Sequence, residues 1–223
     1  MATPHATNFD EETQDAMSPL ARFEKLDDEK KSNILETAAA EFAANGFEGA
    51  SLNQIINNAT ISKGTFYYYF EDKFDLFGAV FRHYFDPRML LDRELIMSAE
   101  TSDDFWEYFT TSSHQSMMLA VKKPLAIELG TALSALSPEL LAQGEVGAYI
   151  AEVTALLVEV IEHGQDIGAI RTDIPLEFLI QIWTSVDMAF TRWSLPRWKD
   201  LDEKEQADLM LLGIDTYKRI MTP

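Results

Sequence analysis

The chain has 223 residues, a formal net charge of −19 and no cysteine. Disulfides, thiol nucleophiles and thiolate zinc sites are therefore excluded, and no run reaches the ~18 consecutive apolar residues of a membrane-spanning helix. Residues 1–21 hold four acids and no Lys or Arg, residues 22–85 seven basic and ten acidic side chains, and residues 86–223 eleven basic and twenty-three acidic, so any contact with nucleic acid must rest on local chemistry rather than bulk charge.

Sparse Gly and Pro, abundant Ala and aliphatics, and apolar residues at three-to-four spacing predict an all-α fold. The N-terminus lacks the basic-then-apolar pattern of a signal peptide, so a cytoplasmic location without a membrane partner is expected. Residues 1–24 are aperiodic and rich in Thr, Asn, Asp and Glu, and are expected to form a flexible acidic arm. Asp27 can cap a helix whose apolar stripe is Ile34, Leu35, Ala38, Ala39 and Phe42, with Asn45-Gly46 ending it. Ser51 and Gln54 fit a capping box for a short second helix with Leu52, Ile55, Ile56 and Ala59 on its buried side. Ser62 can cap a third, from Lys63 to about Phe70, and Asp72 and Asp75 flank the start of a fourth that runs toward Pro87. A longer helix followed by two short ones and a tight turn fits the helix-turn-helix layout.

The third helix carries five consecutive aromatic residues, Phe66 to Phe70. At 100° per residue from Phe66, Phe70 falls at about 40° and Tyr69 at about −60°, forming an inward face. Gly64, Tyr67 and Tyr68 fall at about 160°, 100° and 200°, so two phenols flank a glycine on the outer face. Phenol hydroxyls can donate to phosphate oxygens, a glycine lets a backbone approach a duplex, and Lys63 can reach a base edge. Lys73, near the next helix start, adds a cation where phosphate is favoured.

Beyond Pro87 longer helices are predicted from Ser102, from near Pro124, from Ser137-Pro138, over roughly Leu176–Trp193, and from about Asp202 to Ile220. The last helix has apolar residues at Ala207, Met210, Leu211, Ile214 and Tyr217 and a second set at Leu209, Leu212 and Ile220. The penultimate one carries Phe178, Leu179, Ile182, Trp183, Val186, Phe190 and Trp193. That exceeds one buried face, and predicts a homodimer through the last two helices, with Gly213 allowing close approach.

The stretches "ILETAAAEFAANGFEGASLNQI" and "ISKGTFYYYFEDKFDLF", with Phe42, Gly46, Phe47, Ser51, Ser62, Gly64, Phe66, Tyr67, Tyr69, Phe70 and Lys73 at the marked positions, resemble the TetR family of bacterial transcriptional regulators. The resemblance implies an N-terminal three-helix DNA-binding domain at 25–72. It also implies a larger helical effector-binding and dimerisation domain at 73–223. A homodimeric repressor, released from its double-stranded DNA operator by a small hydrophobic effector, is the implied activity. Lys63 and Gly64 are implied to approach bases, Thr65, Tyr67, Tyr68 and Tyr69 to line the DNA side, and Ser51, Ser62 and Lys73 to hold phosphates. Where the family often has His this chain has Tyr69, and where it often has Lys this chain has Glu71.

The family also implies an effector pocket in the larger domain. Candidate lining residues are Phe105, Trp106, Phe109, Met117, Met118, Trp183 and Met188, with His114 as a polar contact and Glu128 and Asp187 as acids within apolar runs that can meet a cationic ligand. An arginine such as Arg192 is the other partner open to such an acid. Catalytic residues, metal ligands and cofactors are not expected: there is no H-E-x-x-H, G-x-S-x-G or phosphate-binding glycine loop, and His5, His83, His114 and His163 are far apart in sequence. The alternative to a DNA-binding regulator is a helical dimeric protein-interaction module with a weakened DNA-binding head, which the net charge and Glu71 favour.

Overall fold

Short polar side chains set the helix starts. Ser18, Asp27, Ser51, Ser62, Asp72, Asp92, Ser137 and Asp202 each accept a hydrogen bond from a backbone N–H two or three residues on, satisfying donors that a helix N-terminus leaves unpaired. The computed structural model describes residues 17–86, 91–120, 122, 123 and 125–223, and among these there is no strand. The helices are α1 (Pro19–Glu24), α2 (Asp28–Gly49), α3 (Leu52–Asn58), α4 (Lys63–Tyr69), α5 (Lys73–Tyr84), α6 (Arg93–Met97), α7 (Ser102–Ala120), α8 (Ala126–Ser134), α9 (Pro138–Leu141), α10 (Gly144–Asp166), α11 (Leu176–Ser194) and α12 (Glu203–Met221), with a 3-10 helix at Leu195–Asp200. No helix among the described residues is long and apolar enough to cross a membrane.

The helix-turn-helix head is α2, α3 and α4. Ile34, Leu35, Ala38, Ala39 and Phe42 of α2 are buried with Ile55, Ile56, Phe66 and Phe70, and the Asn33 side chain donates to the Ala59 carbonyl at 2.9 Å, tying α2 to the turn. Two expectations are corrected in this region and one is met. The capping box at Ser51 is half formed: its hydroxyl accepts from Gln54 N at 3.4 Å, but its own N–H donates to Glu41 Oε1 at 2.9 Å, because a carboxylate of α2 reaches it first. Gly46, where the first helix is expected to end, breaks α2 with a kink at φ 66° and ψ 177°, a conformation open essentially to glycine alone, and a short helical turn follows to Gly49. Pro19–Glu24, expected within the flexible arm, is a helix: Ser18 caps it, Pro19 presets its first turn, and Phe23 is buried against Phe70 at 4.7 Å and Tyr69 at 5.9 Å. The rest of the arm, residues 1–16, lies outside the described residues, as do Pro87 and Pro124.

Helix α5 is packed on two sides. Phe77 meets Phe42 of α2 edge-on at 5.0 Å, and Phe81 meets Tyr149 of α10 edge-on at 4.9 Å. The first core therefore runs from the head through α5 into α8 and the start of α10, without a break in packing at residues 72–73. A Cβ at Gly78 would stand 2.7 Å from Glu145 Cβ, so α5 and α10 cross in backbone contact. Arg82 pairs there with Glu145 and Glu152 at 2.7 Å each. A second core gathers Ile96, Phe105, Trp106, Phe109, Leu157, Val160, Ile161, Leu179, Trp183, Tyr217 and Met221. The single long helix expected from Ser137 is two: α9 is one turn, Gly144 takes φ 54°, and α10 restarts with Gly147 N donating to Gln143 O at 2.7 Å.

Lys73 is turned inward, away from the expected phosphate contact. Its ammonium donates to the carbonyls of Phe47 at 2.7 Å, Ala50 at 3.1 Å and Glu48 at 3.2 Å, and lies 4.7 Å above the Phe47 ring. A lysine has three hydrogens to give, and carbonyls at the end of α2 take all of them. Replacing Lys73 with Met is expected to lower unfolding free energy by roughly 1–2 kcal/mol, read by chemical denaturation, because charged-donor bonds are lost and the carbonyls stay part-buried.

Candidate functional site

The outer face of α4 is built as the spacing predicts. Ser62, Lys63, Gly64, Tyr67 and Tyr68 are exposed, Thr65 and Tyr69 half-buried, and Phe66 and Phe70 fully buried. The two outward phenols are 48% and 38% exposed, unusual for large aromatics and unexplained by any packing need. A Cβ at Gly64 would meet only Ser62 Oγ, at 3.7 Å, so nothing among the described residues requires glycine there. Ser62 Oγ accepts from Thr65 N at 2.9 Å and shares a hydrogen bond with Thr65 Oγ1 at 2.8 Å. Lys63 Nζ lies 5.9 Å from the Tyr67 ring centroid. Ser51 is half-buried at the start of α3, with the Glu41 carboxylate on its N–H.

The head's cations are mostly matched from within. Lys30 pairs with Asp27 at 2.8 Å and Lys31 with Glu24 at 3.4 Å, Arg82 is held at the α5–α10 crossing, and Lys73 is buried in carbonyls. Arg22, Lys25 and Lys63 make no ion pair with an acid among the described residues. Arg22, which the sequence reading passes over, lies across Tyr68 with Cζ 4.6 Å from the ring centroid. Its only sequence signal is its place between the Ser18-Pro19 helix start and the aromatic Phe23. Glu71 is exposed, and its N–H donates to Asp75 Oδ2 at 3.1 Å. Burial, and then the charges of Glu71, Asp72 and Glu145, hold the Asp75 carboxyl above the usual range despite that bond.

Of the candidate effector residues, Phe105, Trp106, Phe109 and Trp183 come together in the second core. Phe109 meets Trp183 edge-on at 5.2 Å, Trp183 stacks on Tyr217 at 4.7 Å, and the Tyr217 hydroxyl donates to Asp187 Oδ1 at 2.9 Å. Asp187 is an exposed residue of α11 whose carboxyl is crowded by protein atoms. Burial pushes its carboxyl pKa up, against the lowering by Tyr217. Burial, then the Asp187 charge, pushes the Tyr217 and Tyr149 hydroxyls up. Two candidates are not gathered here: His114 is exposed on α7, and Glu128 is paired with Lys199. Arg192 is held by the Ser134 carbonyl rather than by Asp187. Met117, Met118 and Met188 are half-buried and belong to neither core. Tyr217 and Tyr149 are the polar groups that the stripe pattern hides as ordinary core. Gly213 makes room for the Phe190 ring of its own chain, 3.0 Å from where a Cβ would stand.

Comparison with known proteins places these features. Residues 34–80 match the family model of bacterial regulatory proteins, tetR family. The chain is 24% identical over 177 residues to the HTH-type transcriptional repressor KstR2 of Rhodococcus jostii (strain RHA1), covering 75% of this chain and 80% of that one. Its fold is that of a tetR family transcription regulator from Shewanella sp. PV-4, with TM-score 0.62 and 22% identity over 87% of this chain and 98% of that one. It also matches the transcriptional regulator FadR from Bacillus subtilis, solved with stearoyl-CoA, with TM-score 0.62 and 16% identity over 83% and 96% of the two chains. Residues 34–80 thus carry the sequence pattern of the tetR family of bacterial regulatory proteins, and the fold along the chain is that of solved TetR-family regulators.

Proposed function

We propose that the protein is a homodimeric repressor that grips its operator through α4 of each subunit and is released by a small, mainly apolar effector. The observation that carries this reading is the outward row Lys63, Gly64, Tyr67 and Tyr68, exposed side by side on α4. Phenols donate to phosphate, the glycine admits close approach to the groove, and Lys63 reaches a base or phosphate. Ser51, Ser62, Thr65 and Tyr69 flank that row, while Lys73 supports it from behind. The curated relative's name as a repressor supports the sign of regulation.

The dimer forms through α11 and α12. Phe178, Trp193, Leu211 and Leu212 are 53%, 45%, 55% and 49% exposed, an apolar surface that a second copy covers. Two copies present two α4 helices to two half-sites. The effector seat lies around Asp187, beside the Trp183 and Tyr217 rings, a setting that suits an apolar body carrying one cationic or hydrogen-bond-donating group. The alternative, a protein-interaction module with a weakened head, is favoured by the acidic balance and Glu71, and the binding experiment separates the two.

At low salt the purified dimer is expected to shift DNA flanking its own gene in a gel, and Tyr68→Phe to weaken binding about three- to tenfold with unchanged melting temperature. No shift by a confirmed dimer overturns the repressor reading in favour of the interaction module. Leu211→Glu with Leu212→Glu is expected to yield monomers in sedimentation and to abolish the shift, since charge on a buried apolar interface is unfavourable. For Asp187, burial raises the folded pKa, so the unfolded chain ionises first as pH rises. This group's contribution is therefore full below the ordinary aspartate range and falls as pH climbs toward the folded value. Asp187→Asn should raise the melting temperature at about pH 7 and leave it unchanged near about pH 3, as thermal scans across pH will read.

A further inference from the structure

Helix α1 lies outside the stretch that matches the family, yet it is built onto the DNA-reading helix. Phe23 is 1% exposed and anchors α1 against Phe70 and Tyr69 of the α4 segment. One residue earlier, Arg22 makes three directed contacts. Nη1 donates to the Tyr68 carbonyl at 3.1 Å, Nε donates to the Met17 carbonyl at 3.1 Å, and Cζ lies 4.6 Å from the Tyr68 ring centroid. The same ring meets Tyr69 edge-on at 5.1 Å. The Tyr68 carbonyl is among the last of α4 and has no partner within the helix, so the guanidinium closes that end while lying against the side chain.

We infer that Arg22 is a positioning residue of the DNA head: it holds the Tyr68 ring so that the hydroxyl is already aimed at a backbone phosphate, making α1 part of the reading unit. This rests on the reading of α4 as the DNA-contacting helix. An exposed tyrosine must otherwise lose rotamer freedom when it bonds DNA, and presetting the ring removes that loss. Lysine cannot stand in, because it lacks the planar fork that bonds a carbonyl while stacking on a ring.

The test uses the full-length dimer with its own upstream DNA, titrated by fluorescence anisotropy at several salt concentrations, alongside NMR of isotope-labelled tyrosines without DNA. Arg22→Gln and Arg22→Lys are each expected to weaken binding about tenfold with unchanged melting temperature. The slope of log affinity against log salt is expected to stay the same. Arg22→Gln added to Tyr68→Ala is expected to cause no further loss, and in free Arg22→Gln protein the Tyr68 ring signals are expected to show motional averaging. A slope reduced by about 0.9 per lost phosphate contact would mean that Arg22 grips phosphate itself, and would overturn the positioning role. Additive losses, or unaltered ring signals, would also overturn it. Unchanged affinity in Arg22→Gln while Tyr68→Ala binds weakly removes the inference and keeps the α4 reading. Unchanged affinity in both variants removes the α4 reading and the inference with it.

Discussion

Helix α5 is gripped from two sides, and the rest of the molecule is arranged around that constraint. Its ring at Phe77 lies against Phe42 of the head, and one turn on Phe81 lies against Tyr149 of α10. Close-packed rings transmit displacement rather than absorb it, since interiors of this density have no slack. The backbone contact at Gly78 and the Arg82 ion pairs hold the crossing from the side. Tyr149 also feels the Asp187 charge. Asp187 and the head are thus linked through neighbouring groups, with α5 and α10 between them.

Electrostatics and packing divide the work of the head in an unusual proportion. Asp27, Glu24, Glu145 and Glu152 occupy cations that would otherwise face outward, and carbonyls occupy Lys73. What remains outward on α4 is dominated by neutral hydroxyls. Neutral donors bond phosphate at short range and release no counterions, so they favour correctly docked DNA over loose, sliding association. An acidic body adds to this by repelling duplex that approaches in any other orientation.

Helix starts and the two faces of α4 were legible because they depend on local chemistry: a Ser or Asp cap and a 3.6-residue period leave their mark in one short window. Features that depend on distant partners were not. Nothing in the order of residues says that Glu41 takes the Ser51 N–H before Gln54, or that Lys73 curls back to α2 instead of facing DNA. Glu128 looks like a buried acid in an apolar run until Lys199, 71 residues away, is brought beside it. α1 escaped notice because six residues carry too little periodicity; its stability comes from Phe23 finding Phe70 across the fold. The aromatic residues of the second core were legible as apolar, but the meeting of Trp183 and Tyr217 beside Asp187 is a tertiary fact.

The stack of Trp183 on Tyr217 has an optical consequence. The four tryptophans of the chain are Trp106, Trp183, Trp193 and Trp198, all in the larger half, while the head is equipped with phenylalanine and tyrosine alone. Indole emission therefore reports on the body without contamination from the DNA-reading helices. Within it, Trp183 sits one ring away from the Asp187 carboxyl. The protein carries its indole chromophores in the body alone, and its helix-turn-helix head is silent.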